Sequence, residues 1–295
     1  MTAPMNPILS LSKHHGAGND FLVLVDEGRS RRVDGTWARK LCDRHRGIGA
    51  DGFIRVTPGP EPHGGGADLV MELWNADGSR AEMSGNGMRT LAQAAVGAGL
   101  VGDHFVVATD GGLKVVDFTP GEQPGAAWVE VGMGPARLGP AGQVDDAGRA
   151  VRWVDMGNPH LVVFVDDPDR VDIDAYAGVV QTAYPGGINV EFVTRLGPDA
   201  LAMRVWERGV GETLACGTGT CAAAAAAREV GLVAGERVGV RNPGGTLAVT
   251  FTRNGSDNGR SSESGPGDQE LVLGGPVEQV ATVTVDVAWL ENGSA

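Results

Sequence analysis

Apolar positions in this chain gather into short runs rich in Val, Ile and Phe, each closed by Gly or Pro. That pattern predicts strands joined by tight turns. In the first half the runs are Phe21–Asp26, Gly52–Thr57, Asp68–Trp74, His104–Thr109, Gly112–Phe118 and Ala127–Val131. In the second half they are Val151–Asp155, His160–Val165, Ile188–Thr194, Ala200–Trp206, Arg237–Val240 and Gly245–Thr252. Three stretches read instead as helices: Thr36–Arg44, Met88–Gly97 and Thr220–Val230. The alanines at 222–227 favour a helix but give it little bulk, so strands can pass close around it. The prediction is α+β, and the polar stretch 253–268 between two strand runs reads as a mobile loop. The tail 274–290 returns to strand-like alternation and is expected to cross back to the first half. This gives domains of 1–126 plus 275–295, and 127–274.

The pattern also repeats. Trp74 to Val101 aligns without a gap on Trp206 to Val233, placing Ser84 on Cys216 and Gly85 and Gly87 on Gly217 and Gly219. Each copy runs from a strand end through a polar loop to G-x-G and an Ala-rich helix, so two similar halves are expected. Each copy also puts a small acid/base or nucleophilic side chain just before a helix. A two-sided proton transfer would need that arrangement.

Composition narrows the field. The net charge of −13 argues against nucleic acid, which asks for a basic stripe. No apolar run approaches the roughly 18–20 residues that span a bilayer, and no secretory signal is visible. Three cysteines do not make a disulfide framework, which suits a reducing cytoplasm. None of the lysines, Lys13, Lys40 and Lys114, lies in a motif suited to a pyridoxal phosphate Schiff base. No phosphate-binding loop, C-x-x-C pair or H-E-x-x-H is present, so neither cofactor nor metal is expected.

Candidate chemistry concentrates at the repeat. A thiol at Cys216 faces a helix N-terminus, whose dipole is expected to favour thiolate, and the free N–H groups opened by glycine can cradle a carboxylate. Ser84 is a far weaker acid; it can cap its helix or relay a proton driven by a neighbour. Cys42 and Cys221 sit in helical stripes that read as packing. Glu207, Arg208 and His160 flank turns at strand ends, where sites are commonly built. Asn19, Asn75, Asn158 and Asn189 read singly as turn chemistry, and jointly with an arginine as a pocket for ammonium and carboxylate groups.

Taken in order, the motifs G-A-G-N-D-F (16–21), R-H-R-G-I-G-A-D-G (44–52), N-A-D-G-S (75–79), S-G-N-G-M-R (84–89), G-N-P-H (157–160), G-I-N-V-E-F (187–192) and E-R-G-V-G-E-T-L-A-C-G-T-G-T-C-A (207–222) resemble diaminopimelate epimerase over most of the chain. The resemblance implies two pseudosymmetric domains, each a strongly curved, mostly antiparallel sheet around a central helix, with the active site in the cleft between them. It implies cofactor-independent epimerisation of LL- to meso-diaminopimelate for lysine and peptidoglycan synthesis, by a cytoplasmic homodimer. Family enzymes use two cysteines on opposite faces of the α-carbon. Cys216 matches one of them, and Ser84 stands where the other belongs. Asn19, Asn75, Asn158, Asn189, Glu207 and Arg208 match substrate-binding positions. Gly85, Asn86, Gly217 and Thr218 match the carboxylate cradles, and His160 and Glu207 match residues assisting the cysteine pair. Thr90 lies where many members carry a further cysteine.

Ser84 leaves three readings open: a change made to trap a complex, a Ser/Cys pair that still epimerises, or a diverged racemase or dehydratase or a mere binder of another amino acid. A Cys-His acyl-transfer enzyme using Cys216 and His160, and a non-catalytic binding protein, are the competing classes.

Overall fold

The computed structural model describes residues 8–59, 66–253 and 269–292; the polar stretch 254–268 lies outside the described residues. The chain divides into two compact units, Met1–Val131 with Pro276–Ala295, and Gly132–Gly275. Both boundaries fall inside long strands.

The first unit begins with β1 (Ile8–Gly16) and β2 (Asn19–Val25), then α1 (Gly35–Cys42), β3 (Gly52–Pro58), β4 (Leu69–Asn75), β5 (Arg80–Ala81) and α2 (Gly85–Gly97). It continues through β6 (His104–Thr109), β7 (Gly112–Pro120) and β8 (Ala126–Pro135). The second unit holds β9 (Arg137–Leu138), β10 (Gln143–Val144), β11 (Ala150–Asp155), β12 (Pro159–Phe164), α3 (Ile173–Ala183), β13 (Asn189–Gly197), β14 (Ala200–Glu207) and β15 (Gly211–Thr213). It ends with α4 (Gly217–Glu229), β16 (Arg237–Asn242), β17 (Gly245–Arg253) and the start of β18 (Gln269–Asp286), before α5 (Val287–Asn292) closes the described chain.

Both units share one connectivity. In the first, β1–β2 and β3–β4 are antiparallel, while β2–β3 and β4–β6 are parallel across α1 and α2. In the second, β11–β12 and β13–β14 are antiparallel, while β12–β13 and β14–β16 are parallel across α3 and α4. In the first unit β8 also pairs with β18, and β18 with β1, closing the ring of strands.

The central helices explain the sequence of each sheet. In α4 every residue from Thr220 to Ala227 is buried, so the helix is surrounded and small side chains let the strands approach. In α2 the run Gly85–Ala95 is likewise buried. Val, Ile and Phe from the strands supply the volume that the alanines lack, with Phe53, Phe105 and Phe192 among the largest fully buried side chains.

Besides the short strands β5, β9, β10 and β15, two longer elements escape the sequence reading, and α5 is a helix where strand-like alternation is expected to continue to 290. The hairpin β1–β2 turns through Ala17 and Gly18, both at positive φ (54° and 84°), the type I′ geometry that matches strand twist. Alanine is a poor signal for that turn, which is why β1 is not evident beforehand. Helix α3 buries only Ile173 and Ala177, so its pattern is weakly amphipathic.

Candidate active site

Unit 1 builds its site from one helix start and one hairpin. Ser84 is the N-cap of α2: its Oγ accepts from the Gly87 N–H at 3.0 Å, which orients the first turn. Asn86, in that turn, donates Nδ2 to Asn19 Oδ1 at 3.1 Å. Asn19 donates in turn to Asp51 at 2.7 Å, and Arg44 clamps Asp51 and Asp20, each at 2.7 Å. The R-H-R-G-I-G-A-D-G motif therefore pins the Asn19 turn. Below it, the wholly buried Arg89 donates to Asn86 Oδ1 at 2.7 Å and to the Gly85 carbonyl at 3.2 Å. A Cβ on Gly16 would lie 2.8 Å from Arg89 Nη2, so a larger residue where the hairpin crosses the guanidinium would make Arg89 shift. Asn75 is exposed and bonds Ser79 Oγ at 3.0 Å within its own turn, making no contact with this chain of bonds.

Unit 2 carries the titratable groups. Cys216 is the N-cap of α4, its sulfur accepting from the Gly219 N–H at 3.4 Å and lying 3.5 Å from Thr218 Oγ1. Glu207, at the end of β14, accepts from Thr213 at 2.5 Å and also takes a hydrogen bond from the Cys216 thiol. On the adjacent strands, His160 Nδ1 meets Glu191 Oε1 at 2.7 Å, both side chains fully buried, and His160 Nε2 meets Asn158 Oδ1 at 3.0 Å. Asn189 donates to the Pro159 carbonyl at 3.1 Å and accepts from the Arg208 N–H at 2.9 Å, while the Arg208 guanidinium reaches the Gly186 carbonyl at 3.1 Å. Asn158, His160, Asn189, Glu207, Arg208, Cys216, Gly217 and Thr218 thus gather at the ends of β12, β13 and β14 and the start of α4.

The thiolate expected from the helix N-terminus is corrected by the structure. Burial pushes the Cys216 thiol well up, and the carboxylates of Glu207 and Glu191 push it further, outweighing Thr218 and the Gly219 N–H. In this state the thiol holds its proton. Glu207 is itself raised, first by burial and then by Glu191, against the hydrogen bonds from Thr213 and Cys216 and the charge of His160. A carboxyl raised above its ordinary range is a better partner to take a thiol proton than an unperturbed one. Cys42 lies in the core of unit 1, where burial pushes it up to about 12, consistent with a packing role. Cys221 is fully buried within α4.

Sequence reading missed Glu191. Its signal was an acidic residue inside the apolar run I-N-V-E-F-V, where a charge needs a reason to be buried. Register shows what is peculiar about it. Trp74 pairs with Phe53, which lies beside Leu22; Trp206 pairs with Val190, which lies beside Leu161. One step along, Ile54 occupies the place of Glu191, and Phe21 that of His160. The helix contacts agree: a Cβ on Gly87 would meet Ile54 Cδ1 at 3.2 Å, and one on Gly219 would meet Glu191 Oε1 at 2.6 Å. Among the described residues no cluster of His, Cys, Asp and Glu suited to a metal ion is found, and no helix is long and apolar enough to cross a membrane.

The fold is shared with solved structures. It is similar to a phenazine biosynthesis protein of the PhzF family from Bacillus anthracis (TM-score 0.70, 14% identity, 94% of this chain and 99% of that one). It is also similar to a hydroxyproline epimerase from Agrobacterium vitis (TM-score 0.68, 16% identity, 95% of this chain and 93% of that one). Sequence narrows the class. The diaminopimelate epimerase family model matches residues 11–139 and 152–267. The chain is 40% identical to diaminopimelate epimerase of Streptomyces coelicolor over 98% of this chain and 99% of that one. It is 41% identical to that of Desulforudis audaxviator over 88% and 97%. The chain belongs to the diaminopimelate epimerase family.

Proposed function

We propose that this chain is a cofactor-independent epimerase that converts LL- to meso-diaminopimelate by moving a proton at the α-carbon, serving lysine and peptidoglycan synthesis. The observation that carries the reading is the doubled helix cap: Ser84 on α2 and Cys216 on α4 hold the same N-cap geometry in the two copies of one repeat. Membership of the family supports the substrate.

The Cys216 thiol passes its proton to Glu207 when substrate arrives. The thiolate then takes the Cα–H proton, leaving the electron pair in an enediolate. Backbone N–H groups at the starts of the two helices, at Gly85 and Asn86 in one and at Gly217 and Thr218 in the other, stabilise that charge as it develops. Ser84 O–H returns a proton to the opposite face and recovers its own from solvent, while Glu207 releases the one it took. Asn19, Asn75, Asn158, Asn189 and Arg208 hold the ammonium and carboxylate ends of the substrate. The enzyme acts in the cytoplasm as a homodimer.

The direct test follows conversion of LL- to meso-diaminopimelate by chiral chromatography, without added cofactor or metal. Accumulation of the meso form to equilibrium is expected. A chain that binds diaminopimelate, seen as a thermal shift, yet never converts it would overturn the epimerase reading and leave a binding protein.

A further inference from the structure

The unusual object in unit 2 is a buried carboxylate with half its capacity unused. Glu191 is fully buried, Oε1 meets His160 Nδ1 at 2.7 Å, and Oε2 has no hydrogen-bond partner among the described residues. An acid placed for stability alone would be expected to have all its lone pairs answered, since burying an unpaired charge is costly. The other copy of the repeat shows that the fold does not need it, because Ile54 and Phe21 fill the same register with hydrocarbon.

The hydrogen bonds of His160 say what the acid does. Nδ1 faces a carboxylate oxygen and Nε2 faces the Asn158 carbonyl oxygen at 3.0 Å. Glu191 and Asn158 thus hold the ring from its two nitrogens, which fixes its orientation. The groups facing this ring and the nearby thiol are Glu191 from β13, Glu207 from β14, Asn158 before β12 and Thr218 on α4. Glu191 lies directly against the first turn of α4, where its Oε1 leaves room for glycine alone at position 219.

We propose that Glu191 is a positioning residue for proton transfer at Cys216, locking the orientation of His160 and holding negative charge beneath the thiol, on this side of the repeat only. Its charge keeps the thiol protonated until substrate binds, and its hold on Nδ1 keeps His160 turned toward Asn158 and the carboxylate of Glu207. The proposal rests on the reading of Cys216 as the proton-transfer group, and its first readout needs no substrate.

That readout is alkylation of Cys216 by iodoacetamide across about pH 7 to 10, followed by peptide mass spectrometry on the full chain. Glu191→Gln keeps the shape and an acceptor for Nδ1 but removes the charge, so alkylation at pH 8 is expected to rise about tenfold, as removal of a like charge frees the thiolate. Exchange of the substrate α-proton is expected to fall about tenfold in kcat with KM kept, the opposite direction. Unfolding would also expose this buried thiol, so the rates are compared only between chains whose circular dichroism and Tm match the parent, and the pH dependence of alkylation separates a freer thiolate from a more accessible thiol. The double variant His160→Phe/Glu191→Ile copies the pair already packed in unit 1 and serves if Glu191→Gln fails to fold; it is expected to alkylate fast and exchange least. Alkylation unchanged from the parent chain in the folded variant overturns the proposal. If the parent chain exchanges no diaminopimelate, alkylation still decides the role of Glu191 and the failure lies with the assigned substrate.

Discussion

The two helix starts share a backbone and differ in almost every charge around it. At α2 the cap is a hydroxyl, the residues behind it are Phe21 and Ile54, and a buried cation, Arg89, sits one turn in. At α4 the cap is a thiol, the residues behind it are His160 and Glu191, and the position of Arg89 is taken by the neutral Cys221. One helix start thus carries a buried cation in its first turns, with Asp20 and Asp51 held further out by Arg44, while the other has Glu207 and Glu191 about its thiol. Duplication has kept the cradle of N–H groups in both copies. The side chains around it differ between the two copies.

This contrast can be broken most severely at its buried charge. Arg89→Met should destabilise unit 1 by about 3 kcal/mol, because Asn86 Oδ1 and the Gly85 carbonyl lose their buried donor. Urea unfolding would show it, and the Asn86–Asn19 link should loosen with it. Next come the two glycines. Gly219→Ala drives a methyl into Glu191 Oε1, whereas Gly87→Ala meets the tip of Ile54, which can shift. We expect a loss of about 2–3 kcal/mol for the first and under about 1 kcal/mol for the second by thermal melts, with equal losses contradicting the register argument. Smaller again is the cap itself: Ser84→Ala should cost about 1 kcal/mol of stability. Cys216→Ala should cost less, since sulfur at 3.4 Å is the weaker acceptor.

The smallest effect is pH-dependent and opposite in sign in the two units. Asp26 in unit 1 feels burial, which raises it, but Arg55 and the N–H groups of Arg31 and Ser30 win and hold it low. Its depressed carboxyl contributes stability above the unfolded value, lost as pH falls through the lower folded one. Glu207 is raised, so its contribution is present below the unfolded value and lost as pH rises through the folded one. Glu207→Gln should therefore raise Tm slightly at pH 8 and not at pH 4, while Asp26→Asn should lower Tm at pH 8 and do little at pH 2.

Much of this was legible in the chain. The strand runs, the three principal helices and the repeat all follow from local pattern, because period and turn residues act over a few positions. Ser84, Cys216 and their glycines were visible because the repeat aligned them. What stayed hidden depends on partners distant in sequence. Burial and two carboxylates reverse the expectation for the Cys216 thiol, and that balance exists only once β13 and β14 lie under α4. Glu191 looked like one acid in a strand until the register set it against Ile54. The Ala17 turn was silent because alanine rarely takes positive φ.

The measurement that tests the division of labour most directly is α-proton exchange of LL- and meso-diaminopimelate in D2O, followed by NMR, for Cys216→Ala beside Ser84→Ala. The account predicts that Cys216→Ala abolishes exchange of both isomers, while Ser84→Ala still exchanges one of them and no longer inverts it. Exchange that persists without the Cys216 thiol would contradict the account.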